Sequence, residues 1–139
     1  MNRKTLPLAF AALMSALPAV VSAEPFVSGG CKLDIPSGWA PVVLRAMGPP
    51  GQKNFYVKTV QAPTAEEITR QITALGGTVA YDKPNLRLVE LTASNAGRTN
   101  RQFWAITKTA PSCAGIATTP AGPQEAQARS IVETISKTP

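Results

Sequence analysis

The residues of this chain that could carry out chemistry are few, and histidine is not among them. The sequence contains no histidine and two cysteines, which excludes Ser-His and Cys-His nucleophile pairs and histidine-based metal sites. Two cysteines are also too few for a cysteine-rich zinc site. The glycine pairs lack the strand-to-helix context of a phosphate-binding loop. We therefore expect no catalytic residues, no bound metal and no cofactor.

The acidic residues, of which there are eight, are the remaining sources of acid–base catalysis. Glu66 and Glu67 stand at a predicted helix start, where capping accounts for them. Glu90 is the most notable, because it lies inside a predicted strand. An outward position beside Arg87 or Arg101 explains it, whereas a carboxylate-dependent hydrolase would need a second acid to converge on it. Such a hydrolase is the lesser of our alternatives.

Basic residues gather on the predicted strands of the second half of the chain. They are Lys83, Arg87, Arg98, Arg101 and Lys108. On antiparallel strands they would form a positive stripe that binds an anionic polymer, lipid or nucleic acid. We favour the alternative, in which they are solvated charges that keep edge strands from aggregating. Aromatic residues do not interleave with them as in a base-stacking surface, which argues against nucleic acid.

The first residues have the three parts of an export signal. Arg3 and Lys4 are positive, 6–21 is an uncharged and mostly apolar run, and Val21-Ser22-Ala23 offers the small residues that signal peptidase requires. The run is shorter than the roughly 20 residues of a membrane-spanning helix. We expect cleavage after Ala23, so that residues 1–23 are removed and 24–139 form one mature domain without a transmembrane segment, exported to the periplasm or the extracellular space.

Export changes how the charge and the cysteines are interpreted. Without Arg3 and Lys4 the formal charge falls from +6 to about +4, which weakens the case for nucleic acid. In an oxidising compartment Cys31 and Cys113 most simply form one disulfide. Closing so long a loop stabilises the fold by roughly 4–5 kcal/mol. Lipidation of Cys31 is the rival interpretation, but the apolar run ends well before it.

Hydrophobic periodicity predicts the order strands, helix, strands, helix. Thr64 caps the first helix through the amide of Glu67, and an apolar face of Ile68, Ile72 and Leu75 follows. The predicted elements are strands at 31–35, 55–60, 78–81, 86–93 and 98–109 and a second helix at 124–136, with a short, mobile lead-in at 24–30 and a loop at 110–122 that holds at most a short edge strand. We expect an α+β fold, a single antiparallel β-sheet packed against two amphipathic helices.

The stretch Ile35-Pro36-Ser37-Gly38-Trp39 resembles the PsbP-like group of small exported domains, which often open with a strand that runs into a Pro-x-Gly-Trp turn. The element order is similar over most of residues 24–139. The resemblance implies an antiparallel sheet between helices and a non-catalytic binding or assembly role. It implies no site residues, because that group shares a scaffold rather than a site.

These observations favour a non-catalytic, exported protein-binding module. Its partner would be another envelope or secreted protein, and an inhibitor or immunity role is included. The alternative from another class is a binder of an anionic polymer, lipid or nucleic acid through the basic residues of the hairpin. The sequence carries no signal for the oligomeric state.

Overall fold

The computed structural model describes residues 23–42 and 45–139. The predicted leader lies outside the described residues, apart from Ala23. In chain order the elements are β1 (Ala23–Ser28), β2 (Cys31–Pro36), β3 (Ala40–Pro41), β4 (Met47–Gly48), β5 (Tyr56–Ala62), α1 (Ala65–Ala74), β6 (Thr78–Asp82), β7 (Leu86–Asn95), β8 (Arg98–Thr107), β9 (Ser112–Pro120), α2 (Glu125–Val132) and β10 (Ser136–Lys137).

The predicted α+β class, with antiparallel strands and two helices, is confirmed. The strands divide into two sheets rather than the single one expected: a three-stranded sheet in the order β1-β2-β10 and a seven-stranded sheet in the order β3-β4-β5-β9-β8-β7-β6. The lead-in is one reason for the second sheet. Residues 24–30 were expected to form a short, mobile lead-in, but Ala23–Ser28 pair along the whole length of β2, from Ala23 with Pro36 to Ser28 with Cys31.

The seven-stranded sheet is covered on both faces. One face packs against α2 and β2, in a cluster that includes Leu33, Phe103 and Val132. The other face packs against α1, in a cluster that includes Ile72 and Val89. Successive side chains of a strand point to opposite faces, so neighbouring residues such as Leu88 and Val89 serve different clusters.

Helix α1 begins where the capping pattern predicts. The hydroxyl of Thr64 accepts a hydrogen bond from the Glu67 amide at 3.2 Å. Ile68 and Ile72 are buried, as expected. Leu75 is not: it follows the helix as its C-terminal cap residue, and it is 73% exposed. The prediction that it belongs to the buried face was wrong, because the last helical residue is Ala74.

The loop predicted at 110–122 is the largest error of the sequence analysis. Its residues form β9, a strand of nine residues that pairs with β5 on one side and β8 on the other. Eight of the nine are buried. A strand buried on both faces shows no alternation of apolar and polar residues, and this one is built of small residues that are typical of loops.

Small residues in β9 are required by the elements that pack on it. A Cβ atom on Gly115 would lie 2.7 Å from Cδ2 of Leu33 in β2 and 3.3 Å from the backbone oxygen of Val132 in α2. At this strand, therefore, both elements approach the large sheet very closely. The predicted disulfide is present here, with Cys31 of β2 bonded to Cys113 of β9 and both residues fully buried.

The second helix is shorter than predicted. It runs from Glu125 to Val132 and not to Ser136. Ala128, Ile131 and Val132 are buried on it as expected, whereas Ile135, which is also buried, lies beyond its end. The chain turns after Val132 and adds β10 to β2.

Candidate functional site

The five basic residues of the predicted binding face do not form one stripe. In the β7–β8 pairing Arg87 lies opposite Ile106, and Arg101 lies opposite Thr92. Arg87 therefore shares its sheet face with Ile106 and α1, and Arg101 shares its face with Phe103 and α2. Arg87 and Thr92 are five positions apart on β7, so they point to opposite faces of the sheet, and Arg101 shares the face of Thr92. The two guanidinium groups therefore cannot contact one flat ligand.

On the α1 side, Arg87 joins two elements of the fold. Its Nε lies 3.2 Å from Oδ1 of Asp82, and its Nη1 donates to the Thr69 hydroxyl of α1 at 2.8 Å. Lys108 also donates to Asp82. The hydrogen bonds from Lys108 and then from Arg87 hold the pKa of the Asp82 carboxyl below its ordinary value. Both basic residues thus have a carboxylate partner within the fold.

On the α2 side, Arg101 is the centre of a second network. It donates to Glu90 at 2.7 Å and to Glu125 at 3.1 Å. Arg129 of α2 lies 3.3 Å from the other oxygen of Glu90. Of the two neighbours predicted for Glu90, Arg87 or Arg101, the structure has Arg101, but the predicted outward position is wrong, because the Glu90 side chain is only 19% exposed. Because both its oxygens face guanidinium groups, this carboxylate is engaged in the fold and is a poor candidate for catalysis.

Two further contacts complete this network. The guanidinium groups of Arg101 and Arg129 lie over the ring of the buried Phe103, with Cζ atoms 5.3 Å and 4.8 Å from the ring centroid. Glu125 also accepts from the amide of Gly122 at 2.9 Å. That backbone hydrogen bond, followed by the one from Arg101, lowers the pKa of the Glu125 carboxyl.

The remaining two predicted residues lie apart from these networks. Lys83 places its ammonium 4.4 Å from the centroid of the Tyr81 ring. Arg98 is exposed beside the two-residue turn of the β7–β8 hairpin.

Tyr81 connects β6 to the end of α2, because its hydroxyl donates to Oε2 of Glu133 at 2.6 Å. Burial, and then the hydrogen bond to Glu133, raise the pKa of Tyr81 to about 12.

A surface of a different kind lies at the end of the large sheet. Among the described strands, β6 pairs with β7 alone and is the last strand of that sheet. Its residue Val79 is 47% exposed, and Leu75, which ends the preceding helix, is 73% exposed. We call Leu75 together with Thr78–Asp82 the β6 edge. It combines the open side of a strand with exposed apolar side chains, as a strand-binding surface does.

The other sheet edges offer less to a partner strand. Strand β3, at the opposite end of the large sheet, has two residues, one of which is Pro41. Strand β1 is longer, but Pro25 has no N–H group and so interrupts the row of backbone hydrogen-bond donors along this strand. In β6 the pairing with β7 shifts its register between Val79 and Tyr81, so the regular part of this edge is the half next to Leu75.

The β6 edge was not predicted from the sequence, because Leu75 was assigned to a buried helix face. A signal was present in Gly76-Gly77. Glycine after a helix marks its C-terminus, and here it leaves Leu75 outside α1 as the cap residue. The strand that follows pairs only with β7 among the described strands.

The described residues also line two cavities that are open to solvent. One, of about 300 Å³, is lined by residues 40–42 and 48–53. The other, of about 340 Å³, lies between β2 and α2. Across 23–42 and 45–139 no cluster of acidic or cysteine side chains could hold a metal ion. In the same residues, neither helix has the length and apolarity to cross a bilayer.

Comparison with known proteins relates the chain to others by fold. No protein-family model and no curated protein sequence matches it. A crystal structure from Bacteroides thetaiotaomicron VPI-5482 superposes with a TM-score of 0.57 and 13% identity, over 86% of this chain and 50% of that one. This chain therefore spans half the length of that protein. At such identity the similarity concerns the fold alone.

A second solved structure is the solution structure of cyanobacterial PsbP from Synechocystis sp. PCC 6803. It has a TM-score of 0.46 and 8% identity, over 86% of this chain and 95% of that one. A PsbP structure is therefore among the solved structures to which this chain is similar. No residue role is carried over from it.

Proposed function

We propose that this chain is an exported, non-catalytic module that binds another envelope or secreted protein, and that the β6 edge is its binding surface. The observation that supports this most is the joint exposure of Leu75 and Val79 beside the open side of a strand. Natural sheets usually cover or charge such edges. Here the half of the edge next to Leu75 carries exposed apolar side chains, while its charged residue, Asp82, lies at the other end. The apolar half suits a partner that covers it.

The chemistry of the edge defines the kind of partner. An extended segment of another protein can add to β6 through main-chain hydrogen bonds, while an apolar side chain of that segment packs against Val79 and Leu75. An inhibitor or immunity protein would use such a surface to occupy a partner's loop or strand. We include that role in the proposal as one form of the same binding.

The charged residues support the two alternatives less well. Arg87, Arg101 and Lys108 are each paired with a carboxylate, and the first two lie on opposite sheet faces. Through the predicted basic face, charge-driven binding of an anionic polymer, lipid or nucleic acid would have to rely mainly on Arg98 and Lys83. A carboxylate hydrolase would have to free Glu90 from two guanidinium groups.

The proposal is tested by capture of partners from periplasmic extract with three forms of the protein. We expect Val79→Arg to abolish the capture of any partner that the wild-type protein retains, because a charge at this edge prevents strand addition. Val27→Arg is the matched control, since Val27 is 57% exposed on the three-stranded sheet. A partner that is retained by Val79→Arg and lost with Val27→Arg would overturn the assignment of the β6 edge.

A further inference from the structure

The groove between β2 and α2 contains a carboxylate that faces no cation among the described residues. Asp34 lies in its wall, and Ala23 and Pro36 lie beside it on β1 and β2. The α2 side of the groove contributes the apolar Ile131 and three polar, uncharged residues, Gln127, Ser130 and Thr134. The groove therefore has one negative charge and several hydrogen-bonding groups.

Asp34 is fixed in place by its backbone. Its amide donates to the Thr134 hydroxyl at 2.8 Å. Within residues 23–42 and 45–139 its carboxylate takes part in no hydrogen bond or ion pair, in contrast to Asp82, Glu90 and Glu125, which each face a lysine or arginine. A positive group at this position would complete the site.

The register of β1 shows which group of the chain can reach it. Ala23 lies opposite Pro36, and Pro25 lies opposite Asp34, so Glu24 stands between these two rungs of the ladder. Ala23, Pro25, Asp34 and Pro36 share one face of the three-stranded sheet. Ala23 and Asp34 are diagonal neighbours in this ladder, and such neighbours are about 7–8 Å apart at Cα. The nitrogen of Glu24 is bonded to the carbonyl carbon of Ala23, so it is within reach of the Asp34 side chain.

We propose that the α-ammonium group created at Glu24 by removal of the leader binds the Asp34 carboxylate and fastens β1 to β2. The inference rests on the proposed cleavage after Ala23. Hydrolysis of that peptide bond adds one water, leaves a carboxylate on Ala23 and gives the Glu24 nitrogen a positive charge. Departure of Ala23 also removes a side chain from the groove.

Two other charged side chains lie near this site, and neither lines the groove. The side chain of Glu24 accepts a hydrogen bond from the Ser37 hydroxyl at 2.9 Å. Lys32 is two positions from Asp34 on the same face, where it lies opposite Val27. The α2 residues that line the groove carry no charge. Asp34 is thus the one carboxylate among the described residues that lines this groove.

The test uses the product that a Gram-negative host exports from the full precursor. Intact mass identifies its first residue, and the rate at which a reagent acylates the α-amine at near-neutral pH reports the pairing, because the ammonium form does not react. We expect Asp34→Asn to raise that rate about twofold to fivefold, the range for an exposed ion pair. Glu67→Gln, an equivalent change in α1, should leave the rate unchanged.

The outcomes separate the pairing from the cleavage. A product that begins at Glu24 and reacts at the same rate in the wild type and in the Asp34→Asn variant overturns the pairing and leaves the cleavage standing. A product that begins elsewhere overturns both. If Asp34→Asn is not exported, the wild-type product is measured at about 0.02 M and 0.5 M salt, where screening should raise the rate by a similar factor. A rate that does not depend on salt overturns the pairing.

Discussion

Glu90 and Arg129 connect the large sheet to α2 through a contact of 3.3 Å, and Arg101 holds the other oxygen of the same carboxylate at 2.7 Å. The side chain of Glu90 is only 19% exposed. This relationship turns the residue that most resembled a catalytic acid into a structural one. It also explains why the basic residues of the hairpin do not present a common charged surface.

Replacement of Glu90 should therefore affect stability. We expect Glu90→Gln to lower the free energy of unfolding by about 1–2 kcal/mol, because it leaves the guanidinium of Arg129 without its carboxylate partner and that of Arg101 with Glu125 alone. Urea unfolding measures the change. Glu66→Gln is the matched control: Glu66 is 71% exposed and 4.0 Å from Arg87, so its loss should cost less than about 0.5 kcal/mol. Equal costs for the two would contradict this account of the network.

The sequence specified the local elements better than their environments. The Thr64 cap and the two glycines after α1 define that helix correctly, and Cys31 and Cys113 indicate their bond, because each of these is a short-range or covalent signal. The environment of β9 could not be predicted in the same way. Its small residues make sense only once Leu33 and Val132 are known to pack against Gly115.

The placement of Arg87 and Arg101 on opposite faces of the sheet could have been predicted from the sequence. With the turn placed at Ala96-Gly97, the antiparallel register follows, and it assigns the two arginines to different faces. The contacts of Glu125 and Arg129 with this network could not be predicted from the sequence. Both residues come from α2, and nothing local indicates which sheet face that helix covers. The β6 edge likewise depends on which strands pair.

Tyr81 predicts a pH dependence at the alkaline end. Its pKa is raised from 10.0 to about 12 in the folded chain, so the folded state keeps the proton more tightly than the unfolded state. The stabilisation is complete below pH 10 and is lost as the pH rises to about 12. We expect the stability difference between wild type and Tyr81→Phe to shrink over this interval, as followed by urea unfolding. A difference that stays constant over it would contradict the raised pKa of Tyr81, which rests on burial first and on the hydrogen bond to Glu133 second.

At the turn of the β7–β8 hairpin, we expect a glycine substitution to increase the stability of the fold. Ala96 has a φ of 52° and Gly97 a φ of 78°, which is the left-handed region that two-residue hairpin turns require. An alanine there is strained, so Ala96→Gly should raise the melting temperature, with a gain of about 0.5–1 kcal/mol. Ala93→Gly, in the adjoining strand, should lower it. A loss of stability with Ala96→Gly would show that the turn has another conformation.

The β6 edge is tested most directly by site-specific photo-crosslinking in the exported protein. A photoreactive residue at position 79 should form a covalent adduct with a partner protein, and the adduct should disappear when Leu75 is also replaced by Arg. The same residue at position 27, on the exposed strand of the other sheet, should form none. Adducts at position 27 with none at position 79 would contradict the claim that this module binds its partner through β6.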